Sequence, residues 1–203
     1  MQLDHIAVAG ATLDAAAAHV EEALGVAMQP GGVHATFGTH NRLLGLADGL
    51  YLEAIAVDPA APDPGRARWF DLDRFTGAPR LTNWICRCED LRAMLAGMPD
   101  GAGSIVDLER GKLRWRMAVP ADGVLPFDNL FPALIQWRGA LHPATMLAAS
   151  GCSLRRLVVA HPEAGALRDV LAPVLQAPRV EFETGPAGLR AEIDTPHGLR
   201  VLA

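Results

Sequence analysis

Cysteine is scarce in this sequence: Cys86, Cys88 and Cys152 are the whole supply, and an odd number of thiols cannot close a disulfide framework. Cys86 and Cys88 form a Cys-x-Cys pair with no second pair to complete a structural zinc site. On an extended strand their side chains share a face, so both are read as buried thiols. Long apolar runs are also missing. Nothing approaches the ~18 residues that span a bilayer, and Met1-Gln2-Leu3-Asp4-His5 lacks the charged-then-apolar layout of a signal peptide. The expected setting is cytoplasmic, with no membrane partner. Positive charge is the minority sign. The formal net charge is −5 and no basic run is interleaved with aromatics, which argues against a nucleic-acid partner. A Ser-His-Asp arrangement, a glycine-rich phosphate loop and a nucleotide fingerprint are absent as well.

What is present is a chain of 203 residues, 50% hydrophobic and 20% charged, long and apolar enough to bury a proper core. Leu3 to Ala9 alternates and stops at Gly10, as a strand with two unlike faces does. Thr12 is a suitable N-cap, an alanine-rich helix follows over Leu13–Leu24, and Gly25 ends it. A Pro30-Gly31-Gly32 turn, a polar strand around His34–Thr39, an apolar strand Asn41–Leu46 and a last strand Leu50–Ala56 complete a β-α-β-β-β unit over residues 1–58. Four prolines break residues 59–79 into a connection. Within it Trp69-Phe70 is expected to form a short turn over a cleft, because two adjacent large aromatics are costly to leave in water.

The same plan restarts at residue 80. A strand Leu81–Cys86, a helix Leu91–Met98 capped by Asp90, and strands at Gly103–Arg110, Lys112–Val119 and Phe131–Trp137 make a second unit over 80–145. A third, degenerate unit over 153–203 has a strand Leu154–Ala160, a helix Glu163–Gln176 and three further strands. One helix per unit covers one sheet face, so the other face must curve around something. The fold class is therefore α+β: repeated βαβββ units forming cupped mixed sheets with helices outside. An odd number of units leaves one without an intramolecular partner, which a homodimer would supply.

Leu3-Asp4-His5-Ile6-Ala7-Val8, the helix ending at Leu24-Gly25, and Gly49-Leu50-Tyr51-Leu52-Glu53 resemble the vicinal-oxygen-chelate superfamily, which unites glyoxalases, bleomycin-resistance proteins and extradiol dioxygenases. Gly32–Asn41, Leu134–Trp137 and His142-Pro143 resemble, more narrowly, its glyoxalase-like-domain branch. The resemblance implies inward ligands on the first and last strands of each unit, often to a divalent metal. Those positions are His5 and Glu53, and in the second unit Asn83 and Gln136. Imidazole and carboxylate suit zinc, iron, manganese or nickel; the two amides are weaker donors and depart from the metalloenzyme pattern.

The His34–Asn41 segment is locally the most informative, since two histidines and an amide stand among glycines that permit unusual backbone. His34, His40 and Asn41 are candidates to bind a substrate carbonyl or carboxylate. Alternation places His34 and His40 on one strand face and Asn41 on the other. Arg114 and Arg116, sharing a strand face, could grip an anion, and Trp84 is a candidate pocket wall. Two functions follow from the resemblance. One is a metal-dependent lyase, isomerase or dioxygenase in which His5 and Glu53 hold the metal and Glu53 or His34 moves a proton. The other is a non-catalytic protein that sequesters a small molecule in the same cup without a metal.

Overall fold

The computed structural model describes residues 1–203 and contains twelve strands, four helices and a 3₁₀ turn. The first strand, β1 (Gln2–Ala9), is buried along nearly all its length. Thr12 then caps α1 (Leu13–Leu24), its hydroxyl accepting from the Ala15 N–H at 3.2 Å. Gly25 closes that helix in the left-handed region, φ 71°. Ala16, Ala17, Val20 and Leu24 form the buried stripe, small enough to let the helix lie close on the sheet. Next come β2 (Gln29–His34), β3 (Thr39–Leu46) and β4 (Tyr51–Val57).

The proline-rich connection contributes the 3₁₀ turn Trp69–Arg74. The second half holds β5 (Arg80–Arg87), α2 (Leu91–Leu95), β6 (Ser104–Arg110), β7 (Leu113–Val119) and β8 (Ala133–Trp137). After α3 (Pro143–Met146) the tail supplies β9 (Ala149–His161), α4 (Ala164–Leu171), β10 (Val180–Thr184), β11 (Gly188–Thr195) and β12 (Gly198–Leu202). The helices are a minority beside one large mixed sheet, so the class is α+β.

The main path of the sheet runs β12-β11-β9-β3-β4-β1-β5-β8-β7-β6, with β2 also on β3 and β10 also on β9. In each of the first two segments the opening strand pairs parallel with the closing one, β1 with β4 and β5 with β8. The two segments join through antiparallel β1 and β5. The tail has a different order: β9 pairs parallel with β10, the strand that follows its helix, and antiparallel with β11.

Two β-bulges break the β1–β5 register. Leu3 pairs with Cys86 and His5 with Ile85, leaving Asp4 as the extra residue; Ala7 pairs with Asn83 and Val8 with Leu81, leaving Thr82. A bulged residue escapes strict alternation, and Asp4 and His5 exploit this by meeting side chain to side chain.

The first segment also differs locally from the sequence expectation. Gly31 and Gly32 lie inside β2, where the pairing slips between Pro30 and Val33, and the reversal comes at residues 35–38, with Gly38 at φ 57°. His34 therefore ends one strand and Thr39 starts the next, the two directly opposite each other. The hairpin puts Asn41 on the side of His34 and turns His40 to the other side, the reverse of what an unbroken strand would do. Cys86 and Cys152 are buried, and Cys88, just beyond β5, is half-buried. Burial pushes the Cys88 thiol up to about 11 and Cys86 higher still.

Candidate functional site

One cavity gathers side chains from both joined segments. His5 comes from β1, His34 and Asn41 from the β2–β3 hairpin, Tyr51 and Glu53 from β4, and Arg110 from the end of β6. Trp115 and Met117 of β7, Ile135 and Trp137 of β8, and Trp69 and Phe70 of the 3₁₀ turn complete its wall. The space left is small, about 30 Å³, enough for a water-sized guest.

The turn is the cover. Trp69 stacks on Phe37 at 4.3 Å and meets His34 edge-on at 5.0 Å. Phe70 and Asp71 both adopt left-handed backbone, φ 61° and 58°, a conformation costly for non-glycine residues and held only where the surroundings enforce it. The Asp71 N–H donates to the Gly123 carbonyl at 3.0 Å. Gly123 has no room for a side chain, because a Cβ there would stand 2.0 Å from the Arg68 carbonyl oxygen.

On the floor, the Asp4 carboxylate is wholly buried and triply held. It takes His5 Nδ1 at 2.6 Å on one oxygen, and His142 Nε2 at 2.9 Å and Trp137 Nε1 at 3.0 Å on the other. Burial opposes its ionisation, yet the hydrogen bonds and charge of His142 and His5 outweigh burial and hold it well below the usual carboxylate range. With Nδ1 bonded to Asp4, His5 presents Nε2 to the cavity, 3.7 Å from Glu53 Oε2. That gap is too long for a hydrogen bond and short enough for one atom to bridge. Tyr51 stacks on the His5 ring at 4.2 Å. Burial, followed by the charges of Asp4 and Glu53, raises its phenol well above the ordinary value.

The other Glu53 oxygen accepts from Asn41 Nδ2 at 2.5 Å. Asn41 Oδ1 in turn accepts from the Gly32 N–H at 2.8 Å and from Arg110 Nη1 at 3.0 Å. Arg110 Nη1 also lies 3.2 Å from His34 Nε2, and His34 Nδ1 lies 3.1 Å from Thr39 Oγ1. Burial, then the Arg110 charge, pushes His34 down to about 3. A neutral ring that accepts at Nε2 from a guanidinium carries its proton on Nδ1, pointed at Thr39.

Of the residues singled out from the sequence, the fold brings His5, Glu53, His34 and Asn41 together. Asn83 is buried on β5, its amide donating to the Asn129 carbonyl at 3.3 Å while its oxygen has no partner. The remaining candidates lie elsewhere. His40 turns away from the cavity with the outer side of β3. Trp84 faces the opposite side of β5 from Asn83, where its indole donates to the Leu130 carbonyl and packs near Phe182. Gln136 sits between the two inward residues Ile135 and Trp137 and bonds instead to the Glu89 carbonyl and the Leu91 N–H.

Arg114 and Arg116 stand on the outer face, paired with Glu109 at 3.0 Å and Asp107 at 2.7 Å, while Trp115 between them faces the cavity. Exposed pairs of this kind contribute under ~1 kcal/mol. Replacing both arginines with alanine is accordingly expected to shift the denaturation midpoint little and to leave ligand affinity unchanged; a tenfold loss of affinity would contradict this placement. Sequence reasoning missed Asp4 and Arg110. Asp4 faces inward only because it is bulged, and Arg110 meets His34 across 76 positions.

The fit of a divalent metal is decided by the donors. Counted from the bulges at Asp4 and Thr82, Asn83 stands where His5 does; Glu53 pairs with Ala7 as Ala133 pairs with Ile85. The counterpart of Glu53 is thus Ala133, a methyl group, and not Gln136. His5 and Glu53 remain as two donors where a metal site uses three or more protein ligands, His34 is bonded to Arg110, and a guanidinium occupies the same cup. No group of three or more His, Cys, Asp or Glu side chains is placed to hold an ion. These residues do not fit a resident metal.

No helix is long and apolar enough to cross a membrane. No curated protein matches the sequence. Among solved structures, a hypothetical protein from Staphylococcus aureus is similar over 92% of this chain and 87% of its own, with 16% identity and a TM-score of 0.66, which is a likeness of fold. Methylmalonyl-CoA epimerase from Mycobacterium tuberculosis aligns over 70% of this chain and 91% of its own, with 21% identity and a TM-score of 0.43. The Streptomyces coelicolor methylmalonyl-CoA epimerase in complex with 2-nitronate-propionyl-CoA aligns over 68% and 97%, with 17% identity and a TM-score of 0.43. The model of the glyoxalase-like domain matches residues 3–175; with a cup between paired β-α-β-β-β segments, the chain belongs to the glyoxalase-like domain family of the vicinal-oxygen-chelate superfamily.

Proposed function

We propose that the cup is a metal-independent proton-transfer site of the isomerase type, acting on a small molecule with a hydrogen-bearing carbon beside a carbonyl. Divalent metals are common in the superfamily, but here His5 and Glu53 would be a metal's only holders. The observation that carries the proposal is the Asp4–His5–Glu53 arrangement, with two proton-accepting atoms facing across 3.7 Å. Asp4 orients the imidazole, as a carboxylate orients the base of a catalytic triad. Asn41 fixes Glu53. With one member of the pair protonated and the other not, the unprotonated member removes hydrogen from carbon, the electron pair moves into the carbonyl, and the protonated member returns a proton to the resulting enolate. The aromatic wall of Trp69, Trp115 and Trp137 excludes water from that step.

The same wall favours a second reading, sequestration of a small apolar ligand without chemistry. Deuterium exchange into a panel of small aldehydes, ketones and oxo acids, followed by proton NMR in D₂O with a chelator present, separates the two. Exchange that survives the chelator and falls at least ~100-fold in His5→Ala and in Glu53→Ala is the expected result. Binding without exchange would leave sequestration standing, and exchange that appears only on adding a divalent metal would overturn the metal-independent mechanism.

A further inference from the structure

We propose that Arg110 is a carboxylate-recognition residue and that the molecule the cup accepts is a small monocarboxylate, its reacting carbon one or two bonds from the carboxylate. The anion site stands on its own observations; the position of the reacting carbon rests on the proton-transfer reading above.

Arg110 is the cationic member of the cavity wall and has no ion-pair partner. Its nearby counterparts Arg114 and Arg116 are each matched by a carboxylate. Arg110 meets only neutral acceptors, Asn41 Oδ1 and His34 Nε2. Glu53, the nearest anion in that network, is separated from it by the Asn41 amide. A half-buried guanidinium offers five donors in a planar fork, and the two oxygens of a carboxylate match that fork.

The arginine is also deliberately accommodated. A Cβ on Gly32 would lie 2.7 Å from Arg110 Cδ, and one on Gly31 would lie 2.1 Å from Asn41 Oδ1. The two glycines clear the strand so that the arginine stem lies across it and the amide stands upright beside it. Asn41 cannot flip without losing partners. Its oxygen is held by the Gly32 N–H and Arg110, and its nitrogen by Glu53. The guanidinium and the Glu53 carboxylate are therefore fixed one amide group apart, a separation that suits neighbouring functional groups on one small molecule.

Isothermal titration calorimetry of the intact protein tests this with 2-oxobutyrate, the uncharged ketone 2-butanone and inorganic phosphate as probes. Wild type is expected to bind 2-oxobutyrate, Arg110→Gln to bind it ~10–100-fold more weakly, and 2-butanone to bind both proteins alike. Arg110→Lys, which keeps the charge and loses the fork, should fall between them, and it serves if the glutamine variant does not fold. Failure of wild type to bind 2-oxobutyrate, an equal loss of acid and ketone in Arg110→Gln, or phosphate binding as tightly as 2-oxobutyrate would each overturn the proposal. Deuterium exchange by wild type and Arg110→Gln separates it from the proton-transfer reading. Arg110-dependent binding with no exchange even in wild type upholds the carboxylate site and sinks the chemistry, whereas exchange that is indifferent to Arg110 does the opposite.

Discussion

Replacing Asp4 with alanine is expected to lower the unfolding free energy by about 3–5 kcal/mol, the range found when one member of a buried charged network is removed. The carboxylate has no exposure to solvent, so its partners cannot turn to water when it goes. His5, His142 and Trp137 would each lose an acceptor, and Arg87, 3.7 Å away, would lose a nearby anion. The damage would also spread along the chain, because His142 is the N-cap of α3 and Trp137 ends β8. Asp4→Asn keeps one acceptor and turns the other position into a donor, so an intermediate loss is expected. Urea denaturation of the three proteins measures this directly. A loss below ~1 kcal/mol for the alanine variant would mean that the network is solvated and that Asp4 does not organise the floor.

Acid should destabilise the protein well above the pH at which carboxylates titrate. His34 is pushed down to about 3 in the folded state, whereas in the unfolded chain it titrates near 6.5. Between those values the unfolded chain binds a proton that the native one refuses, so stability is full above about pH 6.5 and falls as pH drops toward 3. The loss from His34 should reach about 2–3 kcal/mol between pH 7 and pH 4.5. Asp4, shifted the other way, contributes stability that is lost only as pH falls below ~4. Urea midpoints of wild type and His34→Gln at the two pH values test this. The glutamine variant should show a flatter pH dependence, and an identical dependence in both would show that His34 is protonated in the native state.

Much of the fold is legible because the apolar segments Leu3–Ala9 and Leu50–Ala56 mark strands, which the fold buries along nearly all their length, and Thr12 and Gly25 punctuate the helix between them. The cover over the cleft follows from the cost of exposing Trp69-Phe70. Alternation fails wherever the backbone breaks it. The bulge at Asp4 brings a carboxylate beside His5 that strict pleating would send to the other face. The reversal at residues 35–38 inverts the facing of His40 and Asn41 relative to an unbroken strand. At Gln136 a one-residue difference in register separates the inward pair Ile135 and Trp137 from the outward amide. Arg110 has no local signal at all, since its meaning comes from strands that are distant in sequence. The tail shows the same limit, because the order of elements along the chain says nothing about whether β9 pairs first with β10 or with β12.

The bulges at Asp4 and Thr82 occupy matching places in two matching halves, yet only one half put a carboxylate there. Acid–base groups come from β1 and β4, whereas β6, β7 and β8 supply a cation and an apolar wall. A frame with near two-fold symmetry thus encloses a chamber with none. The two halves of the frame offer a guest different groups, so the symmetry of the frame does not make two ways of sitting in the chamber equivalent.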